Sequence, residues 1–201
     1  MVEAGITPIS LVAVLILIVA PLIAYLWKRG QSIGRVFLLC LAMTALWYVS
    51  QSTMHQASHM LGFIASGAPA SSLQAIPHSW EGFYARTAEG PGLTGTHWQR
   101  LIQLAAPFLI DGILIILGGW LFQWRHQFPA FAGGLIMTLT YLHALYDLVN
   151  NYIAGVFENS GDYQQLLSGY PPLVVHAITL ALILLGLFGC WSEIGRARPT
   201  D

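Results

Sequence analysis

Charged residues are scarce in this sequence. Only 8% of its 201 residues are Asp, Glu, Lys or Arg, whereas 56% are apolar. Because a soluble domain carries roughly a quarter charged residues, a chain with so few cannot build a water-facing surface. The scarcity excludes an ordinary soluble domain and predicts that lipid is the main solvent of the chain.

The sequence also lacks an excess of positive charge. Its 8 Lys and Arg residues are matched by 9 Asp and Glu residues, so the formal net charge is −1. Nucleic-acid binding depends on a basic field, so we expect no nucleic-acid partner. Cysteine is rare as well. Cys40 and Cys190 lie within apolar segments, where small buried side chains are expected rather than a disulfide or a metal-binding pair.

What the sequence does contain is a series of long apolar blocks. Each is near the roughly 20 residues that an α-helix needs to cross the hydrocarbon core. The pattern predicts an all-α integral membrane protein, with five transmembrane helices in a single domain over 1–201 and one long outer loop over 63–100. The lipid bilayer is therefore the first partner implied. The blocks cover approximately 6–27, 36–62, 101–124, 133–154 and 172–191.

The distribution of Lys and Arg predicts the orientation of the chain. With five spans, only Arg86 and Arg100 fall on one side of the membrane. Since Lys and Arg collect in cytoplasmic segments, we expect the N-terminus outside and the C-terminus in the cytoplasm. The residues on the other side are Lys28, Arg29, Arg35, Arg125, Arg196 and Arg198.

Several ionisable side chains within the blocks share one expected depth. They lie late in the second and fourth blocks and early in the fifth, and alternate helices run in opposite directions, so all are expected near the outer face. An ionisable group inside a span is costly and by default indicates a functional site. These residues are His55, His59, His143, Asp147 and His176.

Two pairs within this set have a spacing of four residues. His55 and His59 stack on one helical face and can bind one metal ion together, and His143 and Asp147 repeat the relation. The pairs would supply the imidazole and carboxylate ligands that zinc accepts. The alternative is a hydrogen-bonded network that holds helices together. We favour ligation, because so many ionisable groups exceed what packing requires, and we retain His143 and His176 as further cofactor-binding candidates.

The segment MHQASHMLG at 54–62 resembles the H-E-x-x-H motif of the site-2 protease family, the intramembrane zinc metallopeptidases. The resemblance implies that His55 and His59 bind zinc. It implies Asp147 as the third ligand, with Asp111 as the second choice. The implied substrate is a transmembrane peptide.

The resemblance fails at the position of the catalytic glutamate. In the family this residue is the general base, whereas the present sequence has Gln56, which cannot take a proton from zinc-bound water. The chain is therefore expected to be an inactivated variant or a natural pseudoenzyme that binds substrate without cutting it.

Two other hypotheses stay open. In the first, the chain is a non-catalytic subunit of a membrane complex, with other membrane subunits as partners, and its intramembrane histidines bind haem, a chlorophyll-type pigment or copper. In the second, it is a helix-bundle scaffold or small-molecule transporter, and the same residues form a proton or substrate path.

Overall fold

The computed structural model describes residues 8–67, 73–78, 82–87 and 96–199. Within them, 5 helices are long and apolar enough to cross a membrane, which confirms the expected all-α bundle. These helices are identified as spans by their length and apolar composition. The spans are Leu11–Lys28, Ile33–Ala65, His97–Gln127, Ala130–Phe157 and Pro172–Arg196.

Some spans combine several helical segments, with tighter or wider turns between them. In chain order the segments are α1 (Pro8–Val14), a π-helical turn (Leu15–Val19), α2 (Ala20–Lys28), α3 (Ile33–Ala65), α4 (His97–Leu121), a 3-10 turn (Phe122–Gln127), α5 (Ala130–Met137), a second π-helical turn (Thr138–Leu142), α6 (His143–Phe157), α7 (Gly161–Gly169) and α8 (Pro172–Arg196). Of these, α7 is a short helix between the fourth and fifth spans, outside the membrane-spanning segments.

The long connection between the second and third spans carries a β-hairpin. Strands β1 (Leu73–His78) and β2 (Gly82–Thr87) pair in the antiparallel sense, with Leu73 opposite Thr87 and His78 opposite Gly82. The other residues of the connection between Gly67 and Thr96 lie outside the described residues. The hairpin is the only strand pair in the part of the chain that the structure describes.

The fourth span occupies the centre of the bundle. In its most apolar stretch 72% of the residues are buried, against 22% in the second and in the fifth span. Close packing around it depends on small residues. A Cβ atom at Gly118 of α4 would lie 2.6 Å from the hydroxyl of Thr140, so glycine is required for α4 to approach the fourth span. The polar residues of the fourth span are therefore shielded from lipid.

The outer surface of the bundle is apolar, as expected for contact with lipid. Phe37, Ile116 and Phe188 are more than half exposed, although a soluble protein would bury such side chains. Tryptophan side chains are also exposed near the span ends, where aromatic residues favour the membrane interface. They belong to Trp27, Trp98, Trp124 and Trp191.

Candidate metal centre

Two histidines on α3 and one aspartate on α7 form the candidate centre. Nε2 of His55 lies 3.2 Å, and Nε2 of His59 2.8 Å, from the same Oδ2 atom of Asp162. One ligand atom from each residue can be chosen so that all three lie within 4.8 Å of one another. Ligand atoms around a tetrahedral zinc ion are separated by about 3.3 Å, given bonds of about 2.0 Å. The two Nε2–Oδ2 distances are therefore near the separation of ligand atoms around such an ion.

Asp162 reaches α3 because the chain reverses after α6. Asn159 has a φ of 52° and Gly161 a φ of 77°, and this left-handed region is readily accessible to glycine and asparagine. The backbone N–H of Ser160 donates to the carbonyl of Ala154, 3.1 Å away, and so closes the end of α6. The turn puts Asp162 in the first turn of α7, facing the two histidines.

The next residue, Tyr163, fixes α7 against the bundle. Its side chain is fully buried, and its hydroxyl lies 2.8 Å from Nδ1 of His176 on α8. Its ring packs against Phe108 and Tyr152. A Cβ atom at Gly155 would lie 2.7 Å from the Tyr163 ring, so α6 needs glycine there to accommodate it. Because Tyr163 is buried and bonded to His176, the adjacent Asp162 is held in position.

Asp147 on α6 orients His55 from the other side of the ring. Its Oδ2 lies 2.7 Å from Nδ1 of His55, while its Oδ1 accepts hydrogen bonds from Gln51 at 3.3 Å and from Asn151 at 3.2 Å. A carboxylate on the far nitrogen of a ligating histidine is the usual outer partner of a metal site. The contact leaves Nε2 of His55 to face Asp162.

His59 is oriented by a backbone carbonyl. Its Nδ1 donates to the carbonyl oxygen of Gln103 over 3.0 Å. Each of the two imidazoles therefore has an oxygen acceptor at both ring nitrogens, although a neutral ring carries only one proton. Such a ring is satisfied either as an imidazolium or when a metal ion takes the place of the Nε2 proton. The position between the two Nε2 atoms and the Asp162 carboxylate therefore favours a positive charge, either a second ring proton or a metal ion.

The Asp162 carboxyl suits a metal ligand. Burial raises the pKa of this carboxyl. The hydrogen bonds from His55 and His59 and the charge of these rings together lower the pKa by more than burial raises it, so it lies below its usual range. The group is ionised near neutral pH, which is the form that binds metals. Its side chain is 22% exposed, so the centre lies at an accessible edge of the bundle.

The other predicted site residues do not belong to the cluster of His55, His59 and Asp162. Asp147 contacts Nδ1 of His55 rather than the Nε2 atoms, and Asp111 lies beside Asp147 in the buried interior. His143 is also buried, and its Nδ1 has no hydrogen-bond partner among the described residues. His176 bonds Tyr163. As metal ligands, Asp147 and Asp111 stay predictions, while the carboxylate that faces both Nε2 atoms in the structure belongs to Asp162.

Sequence reasoning did not select Asp162 as a ligand. It lies in a short polar connection with no helical spacing relative to His55 or His59. One signal was present, since the connection between the fourth and fifth spans is expected on the same side as the end of the second span. That signal indicates a shared depth, whereas contact depends on the turn before α7.

Fold and site together define a membrane-spanning helical protein with a candidate His-His-Asp metal centre. In comparisons with known proteins, no protein family, curated protein or solved structure matches the chain.

Proposed function

We propose that this chain is a membrane-embedded metal-binding protein whose centre holds one divalent ion of the zinc class between His55, His59 and Asp162. The observation that carries the proposal is the convergence of two Nε2 atoms on one carboxylate oxygen, at 3.2 and 2.8 Å. Two imidazoles and a carboxylate are ligands that zinc accepts.

The number of ligands favours a reactive site over a purely structural one. Structural zinc sites are closed by four protein ligands, whereas catalytic sites have three and leave a position open. A bound divalent ion would supply Lewis acidity toward a water molecule or a carbonyl group at the open position. The residues around it hold the imidazoles in place: Asp147 bonds His55, and the Gln103 carbonyl accepts from His59.

The proposed relation to the site-2 proteases extends to binding rather than cleavage. Gln56 stands where the general base would be, and an amide does not take up a proton at neutral pH. Asp147 does not replace it, because both of its oxygens accept hydrogen bonds and one of them contacts the far side of His55. We therefore propose a pseudoenzyme that engages a transmembrane peptide.

Haem or pigment binding receives less support from this geometry. The two histidine rings are 4.9 Å apart and perpendicular, and both face Asp162 at hydrogen-bond distance. A macrocycle would have to displace α7 to reach either Nε2 atom, whereas a single ion would not. Copper also accepts imidazole ligands, so metal analysis must distinguish copper from zinc.

We also propose that the metal centre faces the outside and that the C-terminus is cytoplasmic. Lys28, Arg125 and Arg196 all lie at the span ends opposite the centre, in agreement with the preference of basic residues for the cytoplasmic side. Labelling of cysteines introduced at exposed positions, Ser168 at the metal end and His126 at the opposite end, tests the orientation in intact cells.

Metal content of the purified protein tests the central proposal. We expect about one zinc-class ion per chain after dialysis, and its loss in His59→Ala and Asp162→Ala. His126→Ala is the matched control, because His126 is an exposed histidine at the opposite end of the bundle. Wild-type protein that neither retains nor takes up a metal ion would reject the proposal.

A second experiment separates metal binding from the protease relation. Gln56→Glu restores the missing base, and we expect it to gain cleavage of a transmembrane peptide only when metal is bound. Gln56→Ala is the control. A metal-loaded Gln56→Glu protein without cleavage would reject the peptidase relation and leave the metal centre standing.

A further inference from the structure

A buried arginine lies at the end of the bundle opposite the metal centre. Arg29 directly follows α2, and only 4% of its surface is exposed. One of its terminal nitrogens donates to the carbonyl oxygen of Phe128, and its Nε is buried without a hydrogen-bond partner. Among the described residues, no carboxylate forms an ion pair with Arg29.

A second arginine lies in the turn that Arg29 contacts. The backbone N–H of Phe128 bonds the carbonyl of Arg125, so Arg125 belongs to the same turn that Arg29 contacts. Glu193 is the one carboxylate of the cluster. It lies 3.1 Å from Arg196 and 3.9 Å from Arg125. Glu193 is therefore paired with Arg125 and Arg196 but not with Arg29, and among the described residues the Nε of Arg125 also has no hydrogen-bond partner.

A buried guanidinium group such as that of Arg29 favours a nearby anion. Removing a charge from water is costly unless an opposite charge or several hydrogen bonds compensate. The carbonyl groups at the ends of α2 and of the 3-10 turn offset part of the charge of Arg29. In the described part of the chain, the Nε–H groups of Arg29 and Arg125 have no acceptor, and Oε2 of Glu193 has no hydrogen-bond donor.

The depth of Arg29 and Arg125 in the membrane indicates which anion is available to them. Trp27, Trp124 and Trp191 are 60%, 50% and 54% exposed, and each stands within three residues of Arg29, Arg125 or Glu193 in the sequence. Exposed tryptophans of this kind lie at the level of the lipid head groups. At that level phosphate is the abundant anion, and a guanidinium group binds it through paired hydrogen bonds.

We infer that Arg29 and Arg125 form a binding site for the phosphate group of an anionic phospholipid. Basic pockets between transmembrane helices are suited to such head groups. The site is separate from the metal centre and shares no residue with it. The lipid would link the first span to the turn after the third span and to the end of α8.

Thermal unfolding in lipids of different head group tests the inference. In nanodiscs with the same acyl chains, we expect phosphatidylglycerol to raise the Tm of the wild-type protein by about 5–10 °C relative to phosphatidylcholine, as for a ligand at roughly 100 times its Kd. Arg29→Gln should lose most of this shift. Lys28→Gln removes the same charge from the neighbouring exposed residue and should retain it.

Native mass spectrometry supplies a measurement that does not depend on the fold of one variant. Wild-type protein should keep a bound phosphatidylglycerol, and Arg125→Gln should bind it at least ten-fold more weakly. The Arg125→Gln variant therefore tests the site even if Arg29→Gln does not fold. Equal Tm values in the two lipids, or equal losses in Arg29→Gln and Lys28→Gln, would overturn the inference. A full shift with inorganic phosphate in phosphatidylcholine would overturn the assignment to lipid.

Discussion

The hydroxyl of Tyr163 lies 2.8 Å from Nδ1 of His176, and this contact joins α7 to the fifth span. Asp162 directly precedes Tyr163, so the same contact fixes the carboxylate that faces His55 and His59. The candidate centre is therefore assembled from the second span and a segment outside the membrane, which a third element holds in place.

Removing this hydroxyl should weaken metal binding. Tyr163→Phe keeps the buried ring but loses the bond to His176, so Asp162 becomes less well positioned. We expect the metal Kd to rise about 10-fold, as for other outer contacts of metal sites. Competition with a chromophoric chelator measures it, and the visible spectrum of bound Co²⁺ reports the ligand number. Tyr152→Phe, which alters a neighbouring ring of the same cluster, should bind as the wild type does. An unchanged Kd in Tyr163→Phe would show that α7 is held in another way.

A substitution at Asp147 distinguishes an orienting residue from a ligand. Asp147→Asn keeps the shape but removes the charge that faces Nδ1 of His55. If Asp147 orients His55, the metal Kd should rise about 10–100-fold while the stoichiometry and the Co²⁺ spectrum persist. If Asp147 is itself a ligand, as the resemblance implied, the spectrum will change and metal will be lost as in Asp162→Asn.

The low pKa of Asp162 predicts a loss of stability in acid. Because its pKa is lower in the folded protein than in the unfolded chain, the contacts of the carboxylate stabilise the fold fully above about pH 4, the usual pKa of an aspartate. This contribution disappears as the pH falls from there towards the folded-state pKa. The Tm difference between metal-free wild type and Asp162→Asn should therefore be constant from about pH 6 to about pH 4 and shrink towards about pH 3. A difference that does not change in acid would contradict the ion contacts of Asp162.

Close packing of α3 and α4 beside the centre gives a further prediction. A Cβ atom at Gly62 would lie 2.5 Å from Cβ of Ala106 and 2.9 Å from the carbonyl of Ile102. Gly62→Ala should therefore force the two helices apart and lower the free energy of unfolding by about 1–3 kcal/mol. Gly34→Ala in the same helix has nothing within 4 Å of the new atom and should be neutral or slightly stabilising. Denaturation of both variants in the same detergent compares them, and equal stabilities would contradict the packing.

Much of the fold could be predicted because hydropathy acts locally. A helix in lipid satisfies its own backbone hydrogen bonds, so a long apolar stretch is sufficient to predict a span. The spacing of His55 and His59 is likewise local, since residues four apart share a helical face. Depth could also be estimated, and Asp147 does contact His55 across 92 residues of sequence.

The sequence by itself thus determined the five spans, the pairing of two histidines and the shared depth at which His55 contacts Asp147. Only the tertiary structure decided which nitrogen meets which carboxylate. That choice depends on the turn at Asn159 and Gly161, on the burial of the Tyr163 side chain and on its hydrogen bond to His176. None of these has a periodic signal, because each results from packing between segments that are distant in the chain. Packing at the opposite end of the bundle likewise buries Arg29, which the sequence presented only as one of several basic residues at a span end.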